Sequence, residues 1–216
     1  MKSESLRALL PLLPRLVLAL GAVCAFGASV ARADAVDSLR SFVRDVKSGQ
    51  ASFTQTVTAA DGVRKKVSSG EFEFLRPNRF SFVYTKPFAQ TIVADGQKVW
   101  IYDADLNQAS SRRLSQALGA TPAALLAGAA LEPDFVLSSL PQAEGLEWAL
   151  ATPRAADAAL QSLRVGFRGK VLAAVEVTDG FGQRSRLDFK QWVANAPVQA
   201  QRFVFKPPPG ADLVEQ

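Results

Sequence analysis

Two periods of hydrophobic recurrence divide this chain. Over residues 34–48, Val36, Leu39, Phe42, Val43 and Val46 recur at helical spacing, while Asp37, Arg40, Arg44, Asp45 and Lys47 fill the other face. That predicts an amphipathic helix with Asp34 as its N-cap and Gly49 as its stop. From residue 50 the period drops to two. Segments 50–58, 63–75, 79–85, 89–94 and 98–103 alternate as half-buried strands do, and 106–111 is a candidate sixth. Phe72 and Phe74 share a face opposite Glu71 and Glu73, and Phe80, Phe82 and Tyr84 share one opposite Ser81, Val83 and Thr85. Asp61-Gly62, Pro77-Asn78 and Asp95-Gly96 are turn pairs, and Pro87 interrupts the alternation.

Residues 112–141 break the pattern. They are rich in Ala and Leu and carry Pro122, Pro133 and Pro141. Proline suits the first position of a helix, so short helices are predicted at 113–118, 122–128 and 133–140. Their apolar residues are Leu114, Leu118, Leu125, Leu126, Phe135, Val136 and Leu140. Strands resume at 145–152, 160–168, 170–178, 182–192 and 199–205, with Gly169 and Asp179-Gly180 as turns. Residues 153–159 read as a mobile loop, and the tail from Pro207 onward reads as extended or loosely packed. The sum is a mainly β chain with helical inserts and about eleven antiparallel strands. A sheet that large curls into a barrel or half-barrel, which shortens its exposed edges. Helices on its apolar face either complete a core or cover a cavity as a lid, and periodicity does not separate the two.

The first thirty-three residues follow another logic. Lys2, Arg7 and Arg15 precede or open an apolar run from Leu16 to Phe26, and Ala31-Arg32-Ala33 closes the segment. This is the order of a cleaved secretory signal, with cleavage expected after Ala33. The run is too short, and too broken by Gly21 and Gly27, for a membrane span. Cys24 follows the bulky Val23, which fits a lipid-attachment site badly, so a free product of residues 34–216 is expected. Residues 1–33 hold four basic residues (Lys2, Arg7, Arg15, Arg32) and one acidic residue (Glu4), so their removal lowers the net charge from +5 to about +2. That small surplus argues against a nucleic-acid partner.

Residues 34–216 contain no Cys, His or Met. No Ser-His-Asp or Cys-His nucleophile, no Cys/His zinc site and no disulfide can be built from them. No metal or cofactor is expected. Carboxylate-only chemistry remains open, but most Asp and Glu residues lie in turns or on alternating strands, and a non-enzyme is expected. The length suits one domain with a sizeable core.

One stretch is more specific. Gly70-Glu71-Phe72-Glu73-Phe74-Leu75-Arg76-Pro77-Asn78-Arg79-Phe80 continues through Tyr84, Pro87 and Gln90 to Ile92-Val93-Ala94-Asp95-Gly96, Val99-Trp100-Ile101-Tyr102-Asp103 and Asp105-Leu106-Asn107-Gln108. This order, G-x-F-x-F-x-R-P-x-x-F and then D-G-x-x-x-W-x-Y-D-x-x-L-x-Q, resembles the LolA family of periplasmic lipoprotein carriers. Phe53-Thr54-Gln55 resembles that family's first strand, and Phe203-Val204-Phe205-Lys206-Pro207-Pro208-Pro209-Gly210 its C-terminal segment. The resemblance implies an incomplete, half-open antiparallel β-barrel with a helical lid. It implies a periplasmic monomer that takes acylated lipoproteins from an ATP-driven release complex of the inner membrane and passes them to the outer-membrane receptor LolB. An acyl-chain cavity would be lined by Leu39, Phe42, Phe72, Phe74, Phe80, Phe82, Tyr84, Trp100, Leu125 and Phe135. Position 82 is Phe where the family often has Trp, and Trp148 and Trp192 are expected in the core or at a rim.

The resemblance also singles out Arg76. By pattern alone it is a solvated arginine at a strand end. In the resembling family the arginine of the Arg-Pro pair points inward and bonds lid-helix backbone when the carrier is empty, which makes Arg76 the lid switch. Three rival expectations stand beside the carrier. A lipid-anchored receptor of the same fold would need a modified cysteine at the mature N-terminus. A lipid-sensing periplasmic regulatory module would need a further domain. A carboxylate-based hydrolase is the fourth.

Overall fold

The computed structural model describes residues 34–117, 131–155 and 160–215. The proposed signal, the expected helix at 122–128 with Leu125, and most of the expected loop at 153–159 lie outside them. One helix, α1 (Ala35–Asp45), precedes six strands: β1 (Ser48–Thr58), β2 (Lys65–Leu75), β3 (Arg79–Lys86), β4 (Gln90–Asp95), β5 (Lys98–Asp103) and β6 (Gln108–Arg113). A short helix, α2 (Leu114–Ala117), follows. Then come β7 (Phe135–Ala143), β8 (Leu146–Pro153), β9 (Leu160–Arg168), β10 (Val171–Asp179), β11 (Arg184–Ala194), a 3-10 turn at Ala200–Phe203, and β12 (Asp212–Glu215).

The twelve strands among the described residues form one sheet, in the order β12-β6-β5-β4-β3-β2-β1-β11-β10-β9-β8-β7. The sheet is open and curled, as the half-barrel expectation requires. Two antiparallel meanders meet where β1 pairs with β11, through Phe53 opposite Phe189 and Gln55 opposite Leu187. That closure, between segments far apart in sequence, decides which side chains meet at the centre. The core lies on the inner face, where α1 packs, and includes Phe53, Phe72, Phe74, Phe80, Phe82, Val165, Phe167, Val175 and Leu187.

The start of α1 is as expected: the Asp34 carboxylate accepts from the Val36 N–H, satisfying one of the first-turn donors. Its end is not. The helix stops at Val46, and Gly49 sits inside β1, where a Cβ would come within 2.6 Å of Phe74 Cε1. Glycine is there for close approach, not as a stop.

Three further expectations are corrected. The helix at 133–140 is the edge strand β7, paired with β8 from Phe135 opposite Pro153 to Leu140 opposite Trp148. Its partner supplies hydrogen bonds that local propensity could not foresee, and Pro141 is tolerated because an edge strand has a side that needs no ladder donor. The strand at 199–205 is the 3-10 turn and an extended run. Both edges of β1 and both of β11 are already taken, so this segment crosses the outer face instead. There Phe203 is buried, Arg202 donates to Glu73, and Phe205 stacks 5.4 Å from Trp100. The tail, expected to be extended or loosely packed, is extended but not loose at its end: it forms β12 in parallel with β6 and covers what would otherwise be the sheet's edge.

Candidate functional site

The inner face of the four central strands is built from aromatic rings. Period-two alternation turns Phe72 and Phe74 of β2, Phe80 and Phe82 of β3, and Phe53 of β1 to the same side, and the β1–β11 pairing brings Phe189 alongside. Phe72, Phe74 and Phe80 are 0% exposed. Ring centroids lie 4.6 Å apart for Phe72–Phe82, 5.1 Å for Phe53–Phe82 and 5.5 Å for Phe72–Phe189. Trp192 joins them, 6.1 Å from Phe74 and 5.4 Å from Phe189.

Helix α1 roofs the β8–β9 side of this surface. Its buried face is Ala35, Val36, Ser38, Leu39 and Phe42, the positions that helical spacing places together. Phe42 sits 6.3 Å from Phe74, 6.1 Å from Phe167 and 5.9 Å from Trp192. Its outer contacts are weak: the Arg40–Glu132 pair at 3.3 Å is half-exposed on both sides.

Arg76 ties the end of that helix to the sheet. Its Nε donates to the backbone carbonyl of Val46, the C-cap of α1, at 2.9 Å. Its guanidinium lies over the rings of Phe42 and Phe74, 5.5 and 5.4 Å from their centroids. A cation at a helix C-terminus meets the negative end of the helix dipole. Burial pushes the guanidinium down to about 10, so it keeps its charge at neutral pH. Two aromatic faces and a carbonyl thus hold a partly desolvated cation where α1 enters β1.

The expected cavity residues divide. Leu39, Phe42, Phe72, Phe74, Phe80, Phe82 and Phe135 lie in one buried cluster, with Tyr84 packed against it. Trp100 does not join them. Val99 and Ile101, its neighbours on β5, belong to the inner cluster, so strand alternation turns Trp100 to the outer face, onto Phe205. Leu125 is outside the described residues. Phe189 was missed, although Leu187 and Phe189 carry the same period-two signal as the other strands. So was a polar layer at one end of the inner face. The Tyr84 hydroxyl donates to Gln55 Oε1 at 2.9 Å, and Gln55 Nε2 donates to Ser185 Oγ at 2.7 Å. Burial raises the Tyr84 phenol to about 12, leaving a neutral donor at physiological pH.

A second concavity, about 460 Å³, lies on the outer face and is lined by Trp148, Arg164, Glu176, Arg186 and Asp188 among others. Its charges satisfy one another, Arg164–Glu176 at 2.9 Å across β9 and β10 and Arg186–Asp188 at 2.9 Å along β11, with both guanidiniums over Trp148. It is a stabilising ion ladder on the back of the sheet. Among the described residues no cluster of Asp, Glu, His or Cys is placed to hold a metal.

The family model of the outer membrane lipoprotein carrier protein LolA matches residues 44–206, from the last turn of α1 through the segment that carries Phe205. The chain belongs to the LolA family. Its LolA relatives include the outer-membrane lipoprotein carrier protein of Methylibium petroleiphilum, 61% identical over 91% of this chain and 97% of that protein. The protein of the same name from Leptothrix cholodnii is 59% identical over 90% of this chain and 92% of its own length. Among solved structures, an uncharacterized conserved protein from Thermus thermophilus shares the fold, with a TM-score of 0.51 at 15% identity over 84% of this chain and 99% of that one.

Proposed function

We propose that this LolA-family chain is a periplasmic carrier that shelters the acyl chains of lipoproteins and hands them to a receptor at the outer membrane. The observation that carries this is the aromatic inner face under α1, with Arg76 fastening the helix end. An acyl chain loses about 0.8 kcal/mol for each methylene exposed to water, so a long one carries on the order of 10 kcal/mol and does not cross an aqueous space unaided. A curved sheet lined by Phe53, Phe72, Phe74, Phe80, Phe82 and Phe189 offers matching apolar area. A helix that covers it when empty keeps that area from water. The task involves no bond making or breaking, which suits a chain without His or Cys after residue 33.

In this scheme the monomer is loaded by an ATP-driven release complex in the inner membrane and unloaded by LolB. Export follows from residues 1–33, with cleavage after Ala33. Arg76 is the lid switch, and Leu39, Phe42, Phe72, Phe74, Phe80, Phe82, Tyr84 and Phe135 contact the acyl chains. Two measurements test this. An environment-sensitive apolar dye should bind the purified protein and be displaced by a triacylated lipopeptide but not by the same peptide without acyl chains; equal displacement by both ends the carrier reading. The intact mass of periplasmic protein should match residues 34–216, and a diacylglycerol-modified species starting at Cys24 would favour a membrane-anchored receptor.

A further inference from the structure

A lipoprotein has a polar end and an apolar end, and the inner face of this sheet is asymmetric in the same sense. Read each central strand from the end nearest Arg76. Inward positions run Ala51, Phe53, Gln55 on β1 and Phe74, Phe72, Gly70, Ser68 on β2. On β3 they run Phe80, Phe82, Tyr84, and on β11 Phe189, Leu187, Ser185. The change to polar or side-chain-free positions is staggered across the sheet: it comes at Gly70 and Tyr84, level with Phe53, on β2 and β3, one inward position further along at Gln55 on β1, and one further again at Ser185, level with Val57, on β11. Gly70 pairs with Tyr84 on one side and Phe53 on the other, and with no side chain there Tyr84 reaches across β2 to Gln55. The Tyr84–Gln55–Ser185 chain therefore spans four neighbouring strands. It opens onto a cavity of about 670 Å³ that Ser68, Gln90 and Lys66 also line. The opposite end is where Arg76 fastens α1.

A site for acyl chains alone would gain nothing from this layer. The carbonyls that join acyl chains to a lipoprotein head are different: an ester or amide oxygen taken from water without a hydrogen bond is costly. Gln55 has a second N–H, and the Ser68 and Ser185 hydroxyls have donors to offer. Resting on the carrier function proposed above, we infer that cargo is held in one direction. The acyl tails run along the phenylalanines toward Arg76, the ester and amide carbonyls sit against Gln55, Tyr84 and Ser185, and the protein moiety leaves past the loop at 104–107.

The test uses the two ends of β5, about 20 Å apart. In a Cys24→Ala background, Ala104→Cys and Gln97→Cys place one fluorophore at the polar end and one at the Arg76 end, both at exposed positions. A triacylated lipopeptide carrying a nitroxide next to its acylated cysteine should quench the label at position 104 strongly and that at position 97 little. Stronger quenching at 97, or equal quenching, overturns the inference. A second readout uses Gln55→Leu with Ser185→Ala. Lipopeptide affinity should fall about three- to tenfold while apolar-dye affinity stays within twofold; an unchanged lipopeptide affinity, or an equal loss for both, counts against the inference. If the lipopeptide displaces no dye from the wild-type protein, the carrier function fails and the inference with it. Displacement without the quenching asymmetry overturns the orientation alone.

Discussion

Arg76→Leu separates a switch from a structural arginine. The substitution keeps an apolar stem between Phe42 and Phe74 but removes the 2.9 Å bond to the Val46 carbonyl and the charge over both rings. A hydrogen bond from a charged donor is worth about 1.5–3 kcal/mol, and each cation–π contact adds about 0.5–1 kcal/mol. Against this stands the desolvation that lowers the guanidinium's pKa, which the variant no longer bears. The net loss to the closed state should then be about 1–2 kcal/mol, a shift of roughly five- to thirtyfold in the opening equilibrium. In the proposed scheme the loaded, open state lacks this contact and should lose little. Arg76→Leu should therefore bind an apolar dye about five- to thirtyfold more tightly and pass bound lipoprotein to purified receptor more slowly by a similar factor. Arg79→Leu, on the neighbouring strand, is the control. Wild-type dye affinity and transfer rate for Arg76→Leu, with slowed transfer for Arg79→Leu, would mean the switch belongs to the other arginine.

Three further outcomes probe the scaffold. Phe72→Ala, at a fully buried ring, should cost about 3–5 kcal/mol in denaturant unfolding; a loss below about 1 kcal/mol would mean the inner face is not close-packed. Gly70→Ala should be worse than Gly49→Ala: its Cβ would meet the Val83 backbone oxygen at 2.0 Å, whereas at Gly49 it meets the Phe74 ring at 2.6 Å, and rings yield more readily than strands. Overpacking of this kind costs about 1–3 kcal/mol, with Gly70→Ala at or beyond the top of that range, and the reverse order in melting temperature would refute the strand geometry. Glu176→Ala leaves the partly buried Arg164 guanidinium without its 2.9 Å partner and should cost about 1–3 kcal/mol, whereas Arg202→Ala, at an exposed arginine bonded to Glu73, should cost about 1 kcal/mol or less; equal losses in thermal unfolding would argue against that burial difference.

What depends on neighbours a few residues apart is legible along the chain. The Asp34 cap, the buried stripe of α1, the shared face of Phe72 and Phe74, and the turns at Asp61-Gly62 and Asp95-Gly96 all follow from periods and turn chemistry that act locally. The G-x-F-x-F-x-R-P order was specific enough to mark the family. Tertiary structure decided everything that depends on which strand lies beside which. Only the pairing of β1 with β11 brings Phe189 and Trp192 to the aromatic face and lets Tyr84, Gln55 and Ser185 form one hydrogen-bonded chain. Only a partner in β8 makes residues 135–143 a strand despite their helix-like opening. Only the occupied edges of β1 and β11 send Phe203 and Phe205 across the outer face, where Trp100 meets Phe205. Alternation says that two residues share a side, but it does not say which side faces the core or what lies across it. Those are fixed by contacts between strands, some more than a hundred residues apart, whose closure no local propensity encodes.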